Sequence, residues 1–140
     1  MAQKSPALSA EERAAVRARA RELKTQTTLA DQATAYRAAV AEMPPEERAI
    51  AERLGTLIET SAPGLHPKTM YGMPAWANSD DKVVCFFQGR TKYKLRYNTF
   101  GFQPAAHLDD GDMWATAFAL NVLSPAHEKT IIALVTRAVG

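Results

Sequence analysis

Three groupings of residues in this chain are of types and spacings that could do chemistry. The first is Lys92-x-Lys94-x-Arg96, a row of cations interleaved with Tyr93, Leu95 and Tyr97. On a strand, alternate side chains share a face, so this spacing gathers three positive groups opposite an apolar side. Like charges in such a row repel unless they are solvated or paired. Salt bridges to Asp80, Asp81 or the acidic third helix would satisfy them. An anion site would too, and it would take a phosphate, a carboxylate ligand or an acidic partner.

The second grouping centres on Cys85, the sole cysteine of the chain. In a hairpin with a two- or four-residue turn it would face Lys94, with Arg96 diagonal to it, and cations that close favour a reactive thiolate. A three-residue turn would place Tyr93 opposite instead. A free cysteine more commonly packs as a small hydrophobe, and that inert role is the preferred reading. Nothing local ties His107 or His127 to it as a catalytic partner.

The third grouping is His107-Leu-Asp109-Asp110-Gly-Asp112. Carboxylates beside an imidazole could hold ferrous iron or another divalent ion. The spacing fits no EF-hand loop, and aspartates around a glycine also serve a tight turn, which is preferred. Near Pro74, the side chains of Met70, Tyr71, Met73 and Trp76 could line a pocket, although core packing is their commoner fate. His66 and His127 have no companions that call for a special role.

The sequence has no glycine-rich nucleotide fingerprint, phosphate loop, nucleophile elbow, His-Glu-x-x-His or Cys-x-x-Cys. Enzyme activity is therefore the less favoured class. The 140 residues and 15.3 kDa suit one domain with one core. The net charge of +2 is strongly segmented: +3 over residues 1–30, −3 over 31–60, +4 over 61–97 and −2 over 98–140. Complementary surfaces within the fold, or between subunits of a homo-oligomer, would produce such alternation. It is too mild for a dedicated nucleic-acid protein. One cysteine permits no intramolecular disulfide, the first residues resemble no signal peptide, and no window approaches a membrane span. A cytoplasmic protein of bacterial type with no membrane partner is the expectation.

These groups must be positioned by helices first and strands later. Ser9-Ala-Glu-Glu12 has capping-box spacing and opens a charged helix to about Lys24. Its cations Arg13, Arg17, Arg21 and Lys24 are expected on a solvated face, above a weak apolar stripe of Ala14, Val16, Ala20 and Leu23. A second helix is predicted over Asp31–Glu42. A third follows Pro44-Pro45, with Glu46 and Glu47 beside the positive end of its dipole and a buried stripe of Ile50, Leu54, Leu57 and Ile58. Beyond Ala62-Pro63-Gly64 the period falls to two. Short strands are predicted at Lys68–Gly72 and Ala75–Asn78, with Pro74 implying an edge, bend or bulge. A turn follows at Asn78–Asp81, then a hairpin over Lys82–Asn98 reversing at Gln88-Gly89-Arg90. Met113–Leu120 is predicted as a strand with one alanine face, open to a helix or to a shallow groove. Ser124-Pro125 starts a last helix to Val139, buried through Ile131, Leu134, Val135 and Ala138.

Taken together, Tyr71-Gly-Met-Pro-Ala-Trp76, Val83-Val-Cys-Phe-Phe87, Lys92-Tyr-Lys-Leu-Arg-Tyr97 and Leu108-Asp-Asp-Gly-Asp-Met-Trp114 resemble the YdhG-like family of small bacterial domains, over roughly residues 45–140. The resemblance implies an antiparallel sheet packed against helices, with residues 1–28 a charged helical extension of a single domain. One branch of that family, in Firmicutes, is described as a frataxin-like iron chaperone. The resemblance thus implies weak surface coordination of iron, for which Asp109, Asp110 and Asp112, with His107 beside them and Glu46 and Glu47 further off, are the available ligands.

The expectation is a single-domain α+β fold in which one antiparallel sheet of four or five strands packs against N- and C-terminal helices. The expected function is that of a non-enzymatic binding protein whose basic sheet face recognises an anionic small molecule or an acidic partner. Tyr71 and Trp76 would be aromatic walls and Lys94 and Arg96 charge anchors. Iron carriage is the alternative.

Overall fold

The computed structural model describes residues 9–25 and 28–140, without the side chains of residues 21–25. The expectations for Arg21, Leu23 and Lys24, and for the ends of the helical extension, lie outside the described residues. The order is α1 (Ala10–Thr25), α2 (Leu29–Ala41), α3 (Pro45–Ser61), β1 (His66–Met70), β2 (Met73–Ala77), β3 (Val83–Gln88), a single turn of helix α4 (Arg90–Tyr93), β4 (Thr99–Phe102), β5 (Ala117–Ala119) and α5 (Pro125–Ala138). The strands form one antiparallel sheet in sequential order, β1 to β5. The α+β class and the single five-stranded sheet are those expected.

The helix starts follow from capping chemistry. The hydroxyl of Ser9 accepts the Glu12 N–H at 3.0 Å, and Thr28 does the same for Asp31 at 3.0 Å. Ser124 caps α5 by accepting the His127 N–H at 3.2 Å, while His127 Nδ1 donates back to the Val122 carbonyl at 2.6 Å. His127 is thus a capping residue.

One face of the sheet carries the main core. Trp76, Cys85, Phe87, Phe100 and Phe102 pack there against Val40 of α2, Leu54 and Ile58 of α3, and Ile131 and Val135 of α5. Each large side chain withdrawn from water is worth about 1.5–3 kcal/mol, so these aromatic rows set the register. The other face holds a smaller cluster of Met70, Met73 and Ala75, flanked by Val83, Phe86 and Tyr93. Helix α1 comes close to this second face: a Cβ built on Gly72 would lie 3.6 Å from that of Ala18.

Four expectations are corrected. The first two strands lie at His66–Met70 and Met73–Ala77, so the reversal falls on Tyr71-Gly72, with φ of 52° and 80°. Positive φ at both central residues matches the twist of a tight hairpin. Pro74 lies in an interior strand, yet pairing with β3 begins only at Ala75, so that ladder has no rung at the residue lacking a donor. The bulge of β2 falls at Trp76/Ala77.

The largest correction concerns residues 90–97. They do not form the second arm of a hairpin. Arg90–Tyr93 is a helical turn, Lys94 is left-handed at φ 55°, and the strand paired with β3 is Thr99–Phe102. Cys85 therefore faces Phe102 rather than Lys94. The apolar residues of the alternation, Leu95 and Tyr97, remain 41% and 39% exposed, so burial does not hold this segment extended. Likewise β5 is only Ala117–Ala119. Met113 and Trp114 precede it, exposed, and among the described residues no helix covers its alanine face, where both alanines are exposed.

Candidate functional site

The segment from Gly89 to Asn98 is a loop held from below by two side chains. Glu47, in the first turn of α3 and only 5% exposed, accepts the Thr91 N–H at 3.2 Å and the Thr91 hydroxyl on its other oxygen. Asn98 Oδ1 accepts the Arg90 N–H at 2.8 Å, and the Leu95 N–H returns to the Arg90 carbonyl at 2.9 Å. The N–H of Asn98 is in turn taken by Asn121 at 2.9 Å. Gly89 lies close beneath the Glu47 carboxylate, and a Cβ there would lie 2.5 Å from Glu47 Oε1, so a larger residue would displace the carboxylate from Thr91. These bonds satisfy the backbone locally, so the chain has no need of a strand ladder here.

The loop presents four cations outward. Arg90, Lys92, Lys94 and Arg96 are all exposed. Lys94 pairs with Glu11 of α1 at 2.6 Å, and this contact raises the lysine pKa and lowers that of the glutamate. Arg96 lies 5.1 Å above the Tyr97 ring and Lys92 5.6 Å from that of Tyr93. Among the described residues no carboxylate lies within salt-bridge distance of Arg90, Lys92 or Arg96. The expected bridges to Asp80, Asp81 and the third helix do not form. Asp81 is instead held by His66 at 2.9 Å, Lys68 at 3.1 Å and Gln32 at 2.9 Å.

Beside the loop is a cavity of about 300 Å³, walled by Ala39, Met43, Glu47, Met73, Lys92 and Tyr93. The Tyr93 hydroxyl donates to the Tyr71 carbonyl at 2.7 Å and so ties the loop to the β1–β2 turn, where the ring of Tyr71 stands 43% exposed under Arg19. Tyr71 and Lys94 both lie against α1, under Arg19 and beside Glu11, and Arg96 follows on the loop, so the three stand on a turn and a loop rather than on a sheet face.

Trp76 does not join them. It is 1% exposed and meets the edge of Tyr36 at 5.7 Å, so it is a core residue. Cys85 has no exposed surface, and burial pushes its thiol pKa up, which leaves it an inert hydrophobe. His107, Asp109, Asp110 and Asp112 are all exposed. The His107 N–H donates to the Ala138 carbonyl, and Arg137 donates to that of Asp109. Among the described residues no three His, Cys, Asp or Glu side chains converge as a ligand set for a metal ion. Nor, among the described residues, is any helix long and apolar enough to cross a membrane.

Sequence reasoning offered Glu47 as a helix-start residue and a distant iron ligand and missed its actual place, buried and taken up by Thr91. Its place in the first turn of α3 explains a carboxylate by the helix dipole alone. Nothing in the sequence ties it to Thr91, a residue far along the chain. Comparison with family models, with curated proteins and with solved structures gave no match.

Proposed function

We propose that this chain is a non-enzymatic, cytoplasmic binding protein that recognises an acidic protein partner through the Arg90–Tyr97 loop. The observation carrying this reading is the arrangement of that loop. Its four exposed cations are interleaved with the half-exposed Leu95 and Tyr97, and Glu47 and Asn98 hold its backbone at Thr91 and Arg90. A loop fixed before binding loses little conformational freedom on association. Arg96 stacked on the Tyr97 ring supports this reading, because guanidinium groups and aromatic rings are common anchors in protein interfaces. Membership of the YdhG-like family is part of the proposal and rests on the sequence motifs. Iron carriage rests on that resemblance alone.

The test is a fluorescence-anisotropy titration with a labelled glutamate-rich peptide at low salt. Arg90→Glu with Arg96→Glu should weaken binding by about tenfold or more, and added salt should weaken binding to the parent chain. Equal affinity of the parent and the charge-reversed protein would reject the reading.

A further inference from the structure

The two edges of the sheet are treated differently. Strand β1 carries Pro67 and Lys68, both common guards of an edge, and lies against α1 and α2. Strand β5 has a neighbour on one side only, and its sequence, Ala117-Phe118-Ala119, contains no charge, proline or bulge.

Which backbone groups face outward follows from the ladder. Phe118 is paired with Phe100, the Phe102 N–H donates to the Thr116 carbonyl at 2.7 Å, and the Leu120 N–H donates to that of Asn98 at 2.8 Å. Residues 116, 118 and 120 thus point toward β4. In an antiparallel strand the N–H and C=O of a residue point the same way and alternate along the chain. Those of Ala117 and Ala119 therefore face the open side.

We infer that β5 pairs antiparallel with β5 of a second copy of this chain, on a two-fold axis at Phe118, to give a continuous ten-stranded sheet. In that register Ala117 of one copy exchanges both hydrogen bonds with Ala119 of the other. The flanks are complementary to themselves. Trp114 and Val122, 39% and 65% exposed, flank the strand four residues before and after Phe118, so antiparallel pairing brings the apolar flank of one copy toward that of the other. Between β5 and α5 lies an apolar recess of about 140 Å³, walled by Phe100, Phe118, Leu120, His127, Ile131 and Leu134. Apolar flanking side chains of the second copy would enter it. Isologous pairing of this kind closes after two copies, so it forms a dimer and not a fibre. Dimerisation is independent of the acidic-partner reading and survives its failure.

Sedimentation equilibrium of the full chain tests the inference, with a dimer of twice 15.3 kDa expected. Ala119→Pro removes an outward N–H without touching the β4 ladder, and Val122→Asp places a charge on the apolar flank. Each should raise the dimer dissociation constant by about tenfold or more, with unchanged far-ultraviolet circular dichroism. Should Ala119→Pro fail to fold, Trp114→Asp and Val122→Asp decide, because both side chains are exposed in the single copy. A parent that sediments as a monomer at all concentrations would overturn the inference. So would a dimer whose strength is unchanged by the folded variants.

Discussion

The Glu47 carboxylate is bound to Thr91, taking the backbone N–H at 3.2 Å and the hydroxyl as well, and so joins the first turn of α3 to the loop between β3 and β4. The carboxylate is buried, and among the described residues no cation pairs with it. Its stabilisation comes from Thr91 and from the positive end of the helix. Glu47→Ala should therefore lower stability by about 2–3 kcal/mol in urea denaturation. It should also accelerate amide exchange over residues 90–95 more than in the sheet. Stability within about 0.5 kcal/mol of the parent chain would show that the contact contributes little.

Gly101 sits under the ring of Phe86, and a Cβ there would lie 2.5 Å from Phe86 Cζ. Gly101→Ala should cost about 1–3 kcal/mol. The cost should shrink in a Phe86→Ala background, because the two residues share one contact. Additive effects in the double-mutant cycle would contradict this account of the glycine.

Burial raises the pKa of Cys85, and the residue is shielded on all sides. Alkylation by iodoacetamide at neutral pH should be far slower than that of a free thiol, and urea should restore the ordinary rate. An accelerated reaction in the native state would restore the thiolate reading that Lys94 and Arg96 first suggested.

Asp81 gives the fold an acid-sensitive point. Partial burial pushes its pKa up, but hydrogen bonds from His66, Gln32 and Lys68 outweigh this, and the carboxyl lies below its ordinary value of 3.8. A folded-state pKa below the unfolded one contributes stability that is present above the unfolded value and lost as pH falls through the folded one. The contribution is modest because the side chain is half exposed. Asp81→Asn should flatten the stability profile below about pH 4. An unchanged acid limb would assign that loss to other carboxylates.

The helices were legible in the sequence because their signals are local. Ser9, Ser124-Pro125 and Pro45 mark starts, and Ile50, Leu54, Leu57 and Ile58 mark a buried face. Strands β1, β2, β3 and β5 were legible, with boundaries shifted where Tyr71 adopts a positive φ that its type does not advertise, but β4 at Thr99–Phe102 was not, its place being given to residues 92–97. The loop was not legible. Lys92–Tyr97 fits a period of two, yet its conformation is fixed by Glu47, which lies far away in the chain, and by Asn98, whose side chain caps the Arg90 N–H. Long-range hydrogen bonds of this kind leave no periodic trace. Strand β5 is short for a related reason: only Phe118 and Leu120 reach the core, so the alternation from Met113 to Thr116 has nothing to bury against.

The most direct test of the proposed function is an NMR titration of the isotopically labelled chain with a glutamate-rich peptide at low salt. The account predicts saturable shifts concentrated on the amides of residues 90–97 and on Tyr71, abolished by Arg90→Glu with Arg96→Glu. Shifts confined to another surface, or none at saturating peptide, would contradict it.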